Sequence, residues 1–246
     1  MALSPSEQAA VDTARAVHDL GASFMLDMDT YVNAASAGYQ GMAFYFAGRG
    51  GVLGDVSADD VFDAFHFFPR ETVASNWDSS ADVESRSSAA QRFAEAAHTW
   101  SASHLPESGI DYSRLAELAA KIVDAADGSG APVFDGWRKL DSPSDARANA
   151  VHQVNALREL RAARHGAAVA EVSLAPRDAF MIKTPYMASV FGWPEPESAP
   201  DDESKALWEE AERLTNVKFG ADLGSLDDVE LTEFCDLVNA ALAAMT

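Results

Sequence analysis

Arg49 stands in a run of glycines, Gly48-Arg49-Gly50-Gly51, with Gly54 just beyond. Glycine carries no Cβ, so a turn built from it can converge backbone N–H groups on an anion. A guanidinium planted in such a turn adds a planar, two-pronged donor suited to a carboxylate or a phosphate. Eight aromatic residues flank the turn between Tyr39 and Phe68. Phe44, Phe46, Phe62 and Phe65 read as core. Tyr39 and Tyr45 carry hydroxyls that need partners when buried, which suits them to a pocket wall. His66 follows in the same stretch, and His18 falls on the apolar side of the first helix. Histidine titrates near working pH, so these two are the candidates for general acid/base catalysis. The residue types predict an aromatic-walled pocket in which Tyr39, Tyr45, Arg49, Gly50, Gly51 and His66 hold a ligand through its acidic group. The same spacing also fits a tight helix-to-helix turn with Arg49 in solvent.

Other chemistries find no pattern. The glycine run has no GK[ST] and so is not a P-loop, and no strand leads into it as a dinucleotide fingerprint requires. The six histidines form neither HxxxH nor HExxH, and no CxxC is present, so no metal site is expected and no cofactor is assigned. There is no GxSxG nucleophile. Cys235, the single cysteine, sits in an apolar stripe with no nearby histidine and reads as a small buried hydrophobe; no internal disulfide can form. One basic cluster stands out, Arg158, Arg161, Arg164 and His165 in LRELRAARHG. Helical spacing places these on shared faces. The cluster reads as a solvated face paired with carboxylates, or as a contact for a phosphate or a partner.

The elements that must position these residues are helices. Ser4-Pro5-Ser6-Glu7 gives a serine cap, a proline at the first helical position and a glutamate three beyond the cap. Ser57 precedes a second start, with Asp59 and Asp60 at the positive end of the helix dipole. Val61, Phe62, Phe65 and Phe68 then make a stripe that Pro69 ends. Residues 82–103, 111–127, 144–165, 176–191, 202–215 and 226–243 all keep a 3.6-residue period. VAEVSL (169–174) fits either a short strand or a continued helix, and 214–226 has room for a small winged hairpin. GSGAPVFDG (128–136) and GWPEPESAPDDE (192–203) read as connections. The chain is therefore expected to be an all-α, multi-helix bundle, divided into a helical portion over 1–140 and a second over 141–246.

Composition sets the setting. The 246 residues carry 18 basic and 39 acidic side chains, a formal net charge of −21, and 48% are hydrophobic. That is enough apolar material for a sizeable core. The acidic field repels nucleic acid and anionic membranes. From Glu195 to Thr246 there are 14 acidic residues against three basic ones. Nucleic acid is accordingly not expected as a partner, since affinity for it depends on neutralising phosphates. MALSPSEQAA lacks the charged start and apolar run of a signal peptide, and no apolar run reaches the ~18 residues of a membrane span. A cytoplasmic location and a homodimer are expected.

The run YFAGRGGVLGDVSADDVFDAFHFFPRETVASNW resembles a largely uncharacterised actinobacterial family of helix-turn-helix, EvbL-like proteins. The likeness is specific over residues 39–77. That family has a YF-A-x-R-x-x-P-L-G segment, a helix rich in valine, alanine and phenylalanine, then a proline and a tryptophan. Tyr45-Phe46-Ala47, Arg49, Leu53-Gly54, Val61, Phe65, Phe68, Pro69 and Trp77 match it, and Val52 replaces the family's proline. The family's histidine in the first helix falls on His18, and its arginine/histidine stretch on Arg158 to His165. The resemblance implies an all-helical N-terminal region and a helix-turn-helix label, with a winged-helix-like C-terminal part that this chain matches poorly. It implies no particular activity. The function favoured by the residues is small-molecule binding. The rivals are an enzyme acting on that ligand through a histidine acid/base, and a transcription regulator, which the net charge disfavours.

Overall fold

The computed structural model describes residues 3–194 and 199–245. Twelve α-helices and no strand are found among them: α1 (Pro5–Leu26), α2 (Met28–Ser36), α3 (Ala43–Gly50), α4 (Ala58–Phe65), α5 (Arg70–Ser79), α6 (Arg86–His104), α7 (Tyr112–Ala125), α8 (Pro132–Trp137), α9 (Ala146–Glu171), α10 (Pro176–Lys183), α11 (Asp202–Leu223) and α12 (Asp228–Ala243). The fold is all-α. Ser4 and Glu7 cap α1 reciprocally, and Ser57 with Asp60 does the same for α4. Asp145 and Asp227 start α9 and α12 by accepting from the first exposed backbone N–H groups.

Helix α9 is the hub, packed against α1, α6, α7, α8 and α11. It buries residues on nearly every face, from Ala150 and Val151 through Leu157 and Leu160 to Ala168. The main core runs without interruption from Ala9 on α1 to Ala241 on α12, and so draws on both sides of residue 140.

Several expectations are corrected by the packing. The 128–136 stretch is not a plain linker: Pro132 starts α8, which fully buries Phe134 and Trp137. VAEVSL forms no strand, because α9 continues through Glu171 and only then turns. The helix expected over 176–191 breaks at Thr184, the residue before Pro185, where helical backbone is disfavoured. No winged hairpin forms over 214–226; α11 runs on to Leu223, with Gly220 buried inside it against the backbone of Glu7 on α1. Residues 195–198 of the acidic connection lie outside the described residues.

The glycine run also changes character. Gly48 and Gly50 are inside α3, and Gly51 opens a short 3₁₀ turn (Gly51–Leu53). A Cβ on Gly48 would stand 2.6 Å from the Phe93 ring, and one on Gly51 would strike the Arg86 carbonyl oxygen. These glycines let α3 approach α6 more closely than any side chain allows. Their N–H groups follow a helical path and form no open loop.

Candidate functional site

Arg49 and Tyr45 are one turn apart on α3, so both project from the same face. Across from them α9 presents Glu159. Arg49 donates from Nε to Glu159 Oε1 (2.9 Å) and from Nη2 to Oε2 (2.7 Å), and its Nη1 donates to the Tyr45 hydroxyl oxygen (3.0 Å). The guanidinium also lies 4.2 Å from the Phe65 ring centroid. Arg158, the next residue on α9, gives Nη1 to the same Glu159 Oε1 at 2.6 Å. The Glu159 side chain is 1% exposed, Arg49 6% and Arg158 12%. Burial opposes ionisation of Glu159, but the two guanidiniums outweigh it and hold the carboxyl below its usual range. Two cations thus share one carboxylate in a buried cluster.

Arg49, Arg158 and Tyr45 of that cluster floor a cavity of about 550 Å³. Helix α1 contributes His18, Ala22 and Leu26, and the end of α4 contributes Phe65 to Phe68. Arg158, Arg161, Ala162 and His165 line it from one face of α9. The far wall is the α10 segment with the turn after it, through Phe180, Lys183, Tyr186 and Phe191. Phe191 stacks on Phe68 at 4.7 Å, and the Trp193 indole N–H donates to the Phe67 carbonyl, tying this segment down. Helix α11 closes the remaining side with Trp208 and Glu212.

The histidines differ. His66 caps α4 with φ +61, a left-handed backbone uncommon for a non-glycine residue. Its ring lies over Gly166, where a Cβ would be 2.6 Å from the imidazole Cγ. Nε2 is buried without a partner, and burial, reinforced by Arg49, pushes its pKa down. His165 Nδ1 is 2.9 Å from the Thr215 hydroxyl, which itself donates to the Ala211 carbonyl. Thr215 must therefore accept from His165, so Nδ1 carries the proton and Nε2 the lone pair. Burial takes the His165 pKa down to about 4. His18 lies at the cavity edge, 2.9 Å from Asp19.

Of the residues singled out in the sequence, the structure brings together Tyr45, Arg49, His66 and His18. Tyr39 does not join them: it is buried away from the cavity, and its hydroxyl donates to Glu84. Gly50 and Gly51 are packed against Trp77 and α6 and do not line this cavity. Arg158, Arg161 and Arg164 are not a solvated face. Arg161 pairs with Glu212 and Asn216, and Arg164 with Asp222. Glu159 escaped sequence reasoning, although a lone carboxylate between Arg158 and Arg161 was a readable signal. Trp208, Phe180 and Phe191 left no local signal, since only the tertiary fold carries them to the cavity.

A model of a helix-turn-helix family matches residues 10–199, most of the chain. The protein belongs to this helix-turn-helix family. The resemblance drawn from residues 39–77 therefore extends from α1 to the end of α10 and beyond, while α11 and α12 lie past the matched residues. No curated protein and no solved structure matches. Membership corrects the expectation that nucleic acid is not a partner: the family name puts DNA among its partner classes. The reason the expectation fails is that a net charge averages over the whole surface, whereas nucleic-acid contacts are made locally. Among the described residues no helix is long and apolar enough to cross a membrane, and no group of acidic, histidine or cysteine side chains is placed to hold a metal ion.

Proposed function

We propose that the protein binds an amphipathic organic anion in the cavity between α1, α3, α9, α10 and α11, its acid group at the arginine floor and its apolar body against the aromatic wall. The observation that carries this reading is the Arg49–Glu159–Arg158 cluster, which is buried and keeps one positive charge more than it neutralises. A buried unbalanced charge is costly, and an arriving anion relieves it. The volume suits a ligand of drug-like size, and sites of this kind pair apolar walls with a few placed polar groups. Arg49 takes a different part from the one its sequence suggests. Its donors are engaged by Glu159 and Tyr45, so it positions the carboxylate that in turn holds Arg158, while Arg158 and Arg161 present the available donors.

Calorimetric titration with naphthoate tests this. Saturable binding is expected, with thermal stabilisation that grows with ligand concentration. Arg158→Met with Arg161→Met should weaken it by about 10- to 100-fold, the worth of one or two charge-assisted hydrogen bonds. Equal binding of naphthoate and neutral naphthol by the wild type would defeat the reading.

The family match favours a second reading, compatible with the first, in which the chain is a regulator whose cavity senses the ligand. Fluorescence polarisation on labelled duplex DNA, with and without naphthoate, measures it. A ligand-dependent change in DNA affinity is the expected sign, and a response unaltered by Arg158→Met would sever the link between cavity and DNA.

A further inference from the structure

The cavity's charge balance narrows the ligand's head group. Four cations line it, Arg49, Arg158, Arg161 and Lys183, against Glu212 in the lining and Glu159, which is not a lining residue but pairs with Arg49 and Arg158. Glu159 answers Arg49 through a two-pronged pair, and Glu212 answers Arg161 loosely at 3.4 Å. His66 and His165 are kept neutral by burial and add no charge. Arg158 shares Glu159 with Arg49, and Lys183, exposed at its helix end, makes no ion pair among the described residues, so two positive charges are left over.

The free donors agree with that balance. Arg158 uses Nη1 on Glu159, and Arg161 uses Nη2 on Glu212 and Asn216. Nη2 of Arg158 and Nη1 of Arg161 have no hydrogen-bond acceptor among the described residues. Arg158 and Arg161 are one turn apart on α9, so these groups lie on one face. Tyr45 accepts from Arg49, which leaves its own O–H proton free to donate. Lys183 stands in the last turn of α10 on the facing wall.

We infer that the head group is a dianion, a phosphate monoester, carried on an apolar aromatic or polycyclic body. A monocarboxylate has two oxygens and one charge, and would match only one of the two surplus positive charges. A phosphate monoester has three terminal oxygens and close to two charges above its second pKa of ~6, which matches two unbalanced cations and the donors of Arg158, Arg161 and Lys183. The inference rests on the anion reading above and goes further by fixing the charge of the ligand.

Naphthyl phosphate and naphthyl sulfate separate the two claims, because they share a body and a tetrahedral head but differ by one charge. Titrated at about pH 8, where the phosphate ester is fully ionised, the phosphate should bind about tenfold or more tightly than the sulfate, the factor one additional charged contact supplies. Lys183→Gln, a change at an exposed helix end that leaves the core intact, should remove most of that preference by weakening the phosphate alone. Equal affinities for phosphate and sulfate, both lost on Arg158→Met, would overturn the dianion and leave the anion reading standing. Failure of both esters to bind would overturn the two together.

Discussion

The two halves of α9 carry similar side chains and put them to different uses. The first half buries His152, Gln153 and Asn155; the second buries Glu159 and His165 beside Arg158 and Arg161. In the first half, the core is closed around the polar groups. His152 meets His98 at 3.2 Å, its carbonyl accepts from the Trp137 indole, and its ring lies 5.3 Å from that indole. Asn155 is wholly buried with neither end of its amide partnered. In the second half, the polar groups line open volume and hold unequal charge. Buried polarity alone therefore does not mark a site; buried polarity beside a cavity, with charge left over, does.

The largest effect that could break this comparison is at Glu159. Glu159→Ala leaves Arg49 and Arg158 buried with no counter-ion and should cost about 3–5 kcal/mol in denaturant unfolding. Arg49→Met, which leaves Glu159 with Arg158 but loses the two-pronged pair, should also be costly. Arg158→Met should cost about 1 kcal/mol or less, because it removes the unbalanced charge and leaves a neutral pair. If Arg158→Met proved as damaging as Glu159→Ala, Arg158 would be a structural cation and the second half of α9 would resemble the first.

Acid should affect both halves alike. His152 and His165 each have a pKa lowered to about 4 by burial. An unfolded histidine binds its proton near pH 6.5, so between about 6.5 and 4 the unfolded chain holds more protons than the native one, and stability falls as pH falls. Each should contribute about 1.4 kcal/mol per pH unit across that window. His152→Leu should flatten the slope of stability against pH by one proton in urea melts at several pH values; an unchanged slope would mean that His152 is already protonated in the native core.

A smaller effect is expected at Asn155. Since its amide has no partner, Asn155→Leu gives up no hydrogen bond and should change stability by about 1 kcal/mol or less. A loss of several kcal/mol would reveal a bonded Asn155 and so a first half richer in polar contacts. Smallest of all is a spectroscopic difference between the two histidines. A bound anion should raise the His165 pKa by about half a unit or more and leave His152 in place, as read from imidazole NMR titrations with and without naphthoate. Equal shifts in both would show that the ligand reorganises the whole of α9.

The helices were legible because their caps and stripes are local. Ser4-Pro5 and Ser57 begin helices where the residue types require, and of the stripe after Ser57, Phe65 and Phe68 line the cavity while Val61 lies in the core. The glycines were misread because a loop that cradles an anion and a helix pressed against its neighbour ask for the same residue. Only the position of Phe93 and the Arg86 carbonyl, both distant in sequence, decides between them. Arg49 lines the cavity, but its partner could not be read from its surroundings, since Glu159 is 110 residues away. Side chains on α10 and α11 gave no clue, because their role depends on where the chain returns, not on what surrounds them in sequence.

The seating of the His66 ring on Gly166 has a historical consequence. A methyl at 166 has no place while the imidazole is there, whereas a smaller residue at 66 leaves room for one. The two substitutions are therefore not interchangeable in order. A lineage that loses His66 first can later accept alanine at 166, but one that begins with Gly166→Ala must pass through a displaced helix end and a distorted pocket wall. Once alanine is established there, the histidine can return only after glycine has been restored at 166.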